Sequence, residues 1–443
     1  MSDLADAVVS GAPASDLAHC PVPDSYRAAH TLRSEIAMFG DDTDKDVRRS
    51  LHLGEVPTPE LAPDEVLIAV MAAGLNYNTI WSAIFEPLPT FAFLSRYGRQ
   101  GGWAARHDLP HHVLGSDAAG VIVRVGAGVR RWSVGQAVVV HPAYIDHEDP
   151  GAHDDSMSSE EPLAWGFETN FGALADFAVV KASQLLLKAP HLTWEEAACV
   201  TLCAGTAYRM LVSRRGATMK QGDVVLVWGA TGGLGGFAVQ LIRNGGGIPV
   251  GVVSSADKAN LAVELGYEGV INREDLESVG GLGGIKGWRR LGEEIRRQVG
   301  EDPHIVFEHS GQQTFSASVY VARRGGTVVT CGSSSGYDHH YDNRHLWMKV
   351  KRIVGSHGAN YSEAWEMNRL VSRGMLLPTL SRTYPLDDIG DAARALQLGH
   401  SIGKTSVLCL APEEGLGVTD PAARERVGES RLGLFRTADL ARR

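Results

Sequence analysis

Cysteine is scarce and dispersed in this 443-residue chain: of Cys20, Cys199, Cys203, Cys331 and Cys409, only Cys199 and Cys203 are near each other, on a stretch that reads as helix. No cysteine cluster exists for a metal lobe or a disulfide framework, and the thiols read as reduced core residues. Positive charge is also short. With 42 basic against 52 acidic residues the formal charge is −10, and no basic run or aromatic stacking pattern offsets it, so nucleic acid and anionic membrane are not expected partners. Long apolar runs are missing: the longest are strand-sized and broken by Gly or charge, and MSDLADAVVSGAPASD at the N-terminus has no basic region followed by an apolar one. Neither a membrane span nor a signal peptide is expected, and a cytoplasmic location fits. HEDPGAHDDSMSSEE, His147 to Glu161, has little to bury, and its histidines and acids are irregularly spaced, so a solvated surface loop is expected there in place of a metal loop.

What is present is an ordinary globular composition, 44% hydrophobic and 21% charged, in a chain too long for one core. Residues 1 to about 20 read as a loose arm. From about Val56 to Leu187 the pattern is β-rich, with EVLIAV, GSDAAGVIVRVGAG, AVVVHP and ADFAVV separated by turn residues. TWEEAACVTLCAGTAYRMLVSR, Thr193 to Arg214, opens with a Thr cap and Glu in its first turn, and predicts a helix linking two domains. After Gly222 the texture alternates: DVVLVWGATGGLGGFAVQLIRNGG reads as strand, glycine turn and helix. IPVGVVSS, HIVFEH, GTVVTCGS and RIVGSH follow as strands, with a helical pattern from Gln312 to Arg323. This alternation predicts an α/β fold with a doubly wound parallel sheet over about 215–357, after which SEAWEMNRLVSRG and the strand KTSVLCLAP return to the first domain. The stretch from Asn272 to Asp302 reads as a partly helical excursion of no evident purpose.

Gly229, Gly232, Gly233 and Gly235, with Leu234 among them, follow a strand and open a helix. In that context glycines let the backbone turn tightly and approach a pyrophosphate, which gains from the helix amides. An NAD enzyme would place an acid about twenty residues on to hold the ribose hydroxyls. Here stand Ser254 and Ser255, with Lys258 a turn later and Arg273 after the third strand, which suit a 2′-phosphate and favour NADPH. Asp257 dissents, but beside Lys258 it is expected to face solvent.

A zinc alcohol dehydrogenase would need Cys, His and Glu around its metal. Where such enzymes have a GHE segment this chain has GSDAAG, Gly115 to Gly120, so no metal is expected. Without a Lewis acid, hydride transfer is expected at an activated C=C bond whose carbonyl takes up charge as an enolate. At the end of EVLIAVMAAGLN lie two carboxamides, Asn76 and Asn78. Taken alone, each reads as well as a strand-end turn residue.

The blocks NYNTIWSAIFEP, WGFETNFGALADFA, MKQGDVVLVWGATGGLGG, HIVFEHSG, YDNRHLWMKVKRIVGSH, ANYSEAWE and LCLAPEEGLGV, in this order, make the chain resemble the crotonyl-CoA carboxylase/reductase family of the medium-chain dehydrogenase/reductase superfamily. The resemblance covers nearly the whole length. It implies a GroES-like β-rich catalytic domain, residues 1–214 and 358–443, with an inserted Rossmann sheet, 215–357, that binds NADPH. It implies reductive carboxylation: hydride reaches Cβ of a 2-enoyl-CoA and the enolate attacks CO2 to yield an alkylmalonyl-CoA, of the sort polyketide synthases take as extender units. Asn78 matches the CO2-binding asparagine, a neutral donor suited to oxygens that a carboxylate would repel. Phe167 and Glu168 match its neighbours, the first offering backbone to CO2, the second orienting Asn78 or a water. His357 matches a histidine that donates through water, although a lone histidine at a strand end is as readily a satisfied structural one. Lys351 and Arg352 read equally as contacts to the CoA phosphates or as surface charges. Relatives acting on crotonyl-CoA usually carry a bulky aliphatic residue before the WG(F/Y)E block and an aromatic after GSH, where this chain has Ala164 and Gly358, so a pocket for a medium-chain substrate such as 2-octenoyl-CoA is expected. A dimer or tetramer is expected as well. The competing readings are an enoyl-thioester reductase that protonates the enolate, with Tyr77 beside Asn78 as a source of acid, and an NADPH-binding protein without chemistry.

Overall fold

In the computed structural model, which describes residues 2–277 and 281–440, the chain forms two compact units. The first extends to Leu202 and takes in Asn360–Ser372 and Pro378–Thr437; the second comprises Cys203–Ala359 with Arg373–Leu377. The sequence reading put the crossing at 214/215. The structure puts it at 202/203 because the predicted linking helix is two: Trp194–Ala197, capped by a reciprocal Thr193–Glu196 box, and Thr201–Leu211, which belongs to the second unit from Cys203 onward.

The first unit is built on Glu65–Gly74, whose ten residues are all buried. It pairs antiparallel with Ala118–Val125, Phe177–Lys181 and Lys404–Leu408, within a seven-stranded sheet that also holds Leu185–Leu187, Ala137–Val140 and Leu380–Pro385. Burial on both faces explains why this strand reads as a continuous apolar run. A three-stranded sheet, His52–Pro57, Ser25–Leu32 and His111–Val113, stands beside it. The expected loose arm is instead two short helices, Asp3–Val9 and Ala14–His19; Leu4, Ala5, Val8 and Leu17 are buried, and Arg124 donates to the Leu17 carbonyl at 2.8 Å. The acidic stretch is only partly a surface loop. Ala152–Asp155 is helical, and Asp155, Ser156 and Ser159 are buried, with Asn360 donating to Asp155 at 3.2 Å.

The second unit is a six-stranded parallel sheet in the order Gly269–Asn272, Ile248–Val253, Val224–Trp228, Ile305–Glu308, Thr327–Thr330, Arg352–Gly355. This is the doubly wound order, and such sheets take ligands at the carboxyl ends of the strands, where the order reverses. The excursion after Asn272 is an ordinary crossover. Ile285–Val299 buries Leu291 and Ile295 against the sheet, and Gln298 bonds both the N–H and the carbonyl of Val270, at 2.7 and 3.0 Å. The part of that excursion at 278–280 lies outside the described residues. The helix expected over 312–323 is shorter, Phe315–Val321. No described helix is long and apolar enough to cross a membrane.

Candidate active site

In the second unit, the strand Val224–Trp228 ends at Gly229, whose φ of +59° lies in the left-handed region that glycine tolerates. The helix Gly233–Asn244 then starts from Gly232 with no side-chain cap, so its first amides keep their donors for a ligand. Gly235 packs so tightly that a Cβ would stand 2.6 Å from the Ala230 carbonyl. Two residues missed in the sequence support this turn. His309 donates from Nε2 to the Trp228 carbonyl at 2.8 Å, and burial holds its ring below the usual histidine range, hence neutral. Buried Glu308 accepts from Ser310 N–H at 2.8 Å, Gly311 N–H at 3.1 Å, Thr314 Oγ1 at 2.9 Å and Ser318 Oγ at 2.5 Å, and Ser318 in turn accepts from the Trp228 indole at 2.8 Å. FEH in HIVFEHSG was the only signal for either.

The parallel register Val253↔Asn272 places Ser254 and Arg273, the next residues along, at the same sheet edge. Lys258 donates to Ser254 Oγ at 3.2 Å, which aims an ammonium at this edge, while Ser255 caps the helix Ala256–Leu265 by accepting from Lys258 N–H at 3.4 Å. Asp257 is exposed. Uncapped amides, a close glycine turn, a hydroxyl and two cations fit a dinucleotide with a 2′-phosphate, NADPH. Of the two serines, Ser255 serves the helix and Ser254 the edge.

His357 follows the edge strand Arg352–Gly355. Burial first, then the neighbouring Arg209 guanidinium, push its ring below the usual histidine range, although part of the residue remains exposed. Gly358 has φ +52°, so backbone conformation is a sufficient reason for glycine there. Arg352 is not brought together with His357: it lies at the other end of the strand, where Nε and Nη2 donate to Thr327 Oγ1 at 3.2 and 3.0 Å. Lys351 caps the helix Phe315–Val321 by donating to the Val319 carbonyl at 2.7 Å and the Tyr320 carbonyl at 3.0 Å, and burial lowers its pKa to about 8.

In the first unit the two carboxamides have different duties. Asn76, at the N-cap of the helix Tyr77–Ile84, donates to Asp117 Oδ2 at 2.9 Å and accepts from Lys404. Asp117 is fully buried; it also accepts from Thr201 Oγ1 at 2.5 Å, Leu202 N–H at 2.8 Å and Lys404 Nζ at 3.1 Å. Asn78, two residues on, donates from Nδ2 to Ser116 Oγ at 2.8 Å, and its Oδ1 is buried without a partner. Ser116 is the residue sequence reasoning missed. Its one signal was that GSDAAG stands where zinc enzymes carry GHE; in this chain Ser116 holds an amide and Asp117 an ammonium.

The turn after Leu163–Ala164 brings three further expected residues together. Glu168 Oε2 accepts from Ala164 N–H at 2.8 Å, and burial raises the carboxyl above the usual glutamate range despite that bond. Glu168 is thus held by its own turn, and the partner of Asn78 is Ser116. The Phe167 and Glu168 amides both donate to the Ala164 carbonyl, at 3.1 and 2.7 Å, so the Phe167 N–H expected to meet CO2 is occupied within the turn. What Phe167 presents is its ring, 6.4 Å from Trp81 and 6.1 Å from Phe93 between centroids. Trp81 lies one turn from Asn78 on the same helix, so this contact ties that helix to the Ala164–Glu168 turn.

Family models described as "Alcohol dehydrogenase GroES-like domain" and "Zinc-binding dehydrogenase" match residues 62–191 and 233–373. Crotonyl-CoA reductase of Streptomyces collinus is 52% identical over 438 residues, 96% of this chain and 97% of that one. Crotonyl-CoA carboxylase/reductase of Cereibacter sphaeroides is 39% identical over 83% of this chain and 86% of its own. The structure of the 2-octenoyl-CoA carboxylase reductase CinF of a Streptomyces species, in complex with NADP and 2-octenoyl-CoA, superposes with a TM-score of 0.95 at 58% identity, covering 98% of this chain and 99% of that one. With a GroES-like unit, a six-stranded parallel sheet with a dinucleotide turn, and this identity over nearly the full length, the chain belongs to the crotonyl-CoA carboxylase/reductase family.

Proposed function

We propose that this protein catalyses the NADPH-dependent reductive carboxylation of a medium-chain 2-enoyl-CoA to an alkylmalonyl-CoA, a product suited to extend a polyketide chain. The observation that carries the proposal is Asn78: a neutral carboxamide, hydrogen-bonded to Ser116 at the mouth of a buried strand, where a proton-delivering acid would divert the enolate to the saturated thioester. When bound, the nicotinamide supplies hydride. The residues of the chain do the rest. The glycine turn and the first amides of Gly233–Asn244 hold the pyrophosphate; Ser254, Lys258 and Arg273 hold the 2′-phosphate. Asn78 donates to a CO2 oxygen, the Phe167 ring forms a dry wall, Glu168 orients a water, and neutral His357 donates through water. Fixed donors of this kind stabilise the carboxylate developing at Cα. The test is to incubate the protein with NADPH and 2-octenoyl-CoA, with and without bicarbonate, and weigh the product by mass spectrometry. A carboxylated acyl-CoA is expected, and Asn78→Leu moves the product toward the saturated one. A saturated product alone favours the second reading, a simple enoyl-CoA reductase. That reading is supported by the S. collinus relative's name and by Tyr77, an exposed phenol whose pKa burial nonetheless raises, next to Asn78.

The chain-length preference rests on Ala164 and on similarity to a 2-octenoyl-CoA enzyme. If the pocket admits four more carbons, about 0.8 kcal/mol per methylene gives roughly 3 kcal/mol, or about two powers of ten in kcat/KM over crotonyl-CoA. Ala164→Ile, which keeps the amide that holds Glu168, is expected to cut activity on the C8 substrate more than on C4. A preference for C4 in the unaltered protein refutes the medium-chain reading. Gly358, at positive φ, is not a clean site for the companion substitution.

A second copy of this chain is the proposed macromolecular partner. Arg352–Gly355 is the edge of its sheet, and Trp347, Met348 and Val350 beside it are 64%, 52% and 66% exposed. An unprotected edge flanked by apolar side chains is suited to strand pairing. Light scattering is expected to give a dimer or tetramer; a monomer at micromolar concentration refutes this.

A further inference from the structure

The contact between Asn78 and Ser116 holds more than a fixed distance. The Asn78 carboxamide has two donors and one acceptor, and in this structure its donor end faces Ser116 while its acceptor, Oδ1, is buried without a partner. A buried carbonyl without a partner is disfavoured, and this one occupies a place from which only a donor could meet a CO2 oxygen. A half-turn of the amide exchanges its ends: Oδ1 then meets Ser116, and the NH2 takes the place where the unpartnered oxygen stood. Only a group that both accepts and donates can serve the two orientations. A hydroxyl does so by rotating about Cβ–Oγ.

Both ends of this contact are anchored to one carboxylate. Ser116 is fully buried and is followed directly by Asp117, which accepts from Thr201, Leu202, Lys404 and Asn76. Asn76 is in turn the N-cap residue of the helix that carries Asn78. The serine and the start of the asparagine's helix are thus pinned to the same atoms, and the free coordinates left between them are the rotations of the amide and of the hydroxyl.

We propose that Ser116 is a positioning residue for carboxylation: by donating to Oδ1 it selects the Asn78 orientation that turns the NH2 toward CO2. This rests on the reading of the site given under Proposed function. The test is a double-mutant cycle of Ser116→Ala and Asn78→Leu on the enoyl-CoA reaction, read as the ratio of carboxylated to saturated product and as KM for CO2. With Ser116→Ala the ratio is expected to fall, and KM for CO2 to rise, by about tenfold or more, a loss typical of a misdirected transition-state donor. KM for the enoyl-CoA and Kd for NADPH stay within about twofold, since the NADPH residues lie on other elements. In the Asn78→Leu background, Ser116→Ala adds nothing to the change in ratio, because the group it orients is gone. Ser116→Thr, which retains the hydroxyl, restores the ratio. If Ser116→Ala does not fold, Ser116→Cys, similar in volume and a weak donor, takes its place in the cycle. An unchanged ratio in Ser116→Ala, or effects of the two substitutions that simply multiply, overturns the proposal while leaving the reductive carboxylation intact. A native enzyme that makes only saturated product overturns both, and is distinguished by the mass of that product alone.

Discussion

The two units build their candidate sites from different materials. At the sheet end of the second unit the work falls to backbone: Gly229 turns at positive φ, Gly235 lets chain approach chain, and the first amides of Gly233–Asn244 remain available. Those parts are consecutive in sequence. In the first unit the work falls to side chains from remote positions: Asn78 meets Ser116 across 38 residues, and Asp117 meets Lys404 across 287. A backbone cradle accepts any dinucleotide, so its selectivity must be added by side chains at the rim. The side-chain cluster of the first unit depends instead on partners remote in sequence, and the buried Asp117 network fixes the backbone that carries Asn78 and Ser116.

The difference is sharpest at Lys404. It is 4% exposed and pairs with a carboxylate that is 0% exposed, so Lys404→Met leaves buried Asp117 without its cation. Breaking a buried pair typically costs about 3–5 kcal/mol. Urea unfolding followed through the first unit's tryptophans is expected to show that loss, with NADPH affinity of the surviving folded protein little changed. A loss below about 1 kcal/mol, the range of an exposed pair, would break the comparison.

In the second unit, Arg273→Ala and Lys258→Ala each remove a cation proposed to hold the 2′-phosphate. Charge-assisted hydrogen bonds contribute about 1.5–3 kcal/mol, so Kd for NADPH should rise roughly tenfold to a hundredfold while the weaker NADH affinity is unaffected. Fluorescence titration with both cofactors measures it. Equal losses for the two would mean that the side chains hold the shared pyrophosphate and that the rim does not select.

Thr193→Ala tests a locally encoded element, the box in which Thr193 Oγ1 accepts from Glu196 N–H at 3.4 Å and Glu196 returns the bond to Thr193 N–H at 3.0 Å. Its cost should be about 1 kcal/mol in unfolding free energy, well below that of Lys404→Met.

The smallest effect is that of Glu168→Gln. Burial raises the folded-state pKa of Glu168 above its unfolded value, so the unfolded chain releases this proton first and the native state loses stability as pH rises through the folded pKa. Glu168→Gln removes that loss. Its Tm relative to the unaltered protein should rise across the window that starts at the ordinary glutamate value and flatten above the raised one; a Tm difference independent of pH would show that the carboxyl is solvated.

Much of the architecture was legible because it is written in neighbouring residues. The glycine turn after Val224–Trp228 and the apolar run Glu65–Gly74 each show a local period or a local composition. Local signals fail where packing decides. The first twenty residues read as a loose arm, yet Leu4 and Leu17 are buried; the single helix expected over 193–214 divides after Ala197. Asn76 and Asn78, two residues apart, are alike as sequence. The order of residues by itself determined that a doubly wound sheet would carry a glycine turn opening a helix, because such a turn is encoded by adjacent residues. Tertiary structure alone decided that Asn76 would secure the fold and Asn78 face Ser116, and that Arg352 would lie far along its strand from His357, because hydrogen-bond partners remote in sequence are chosen by the packing of the whole unit.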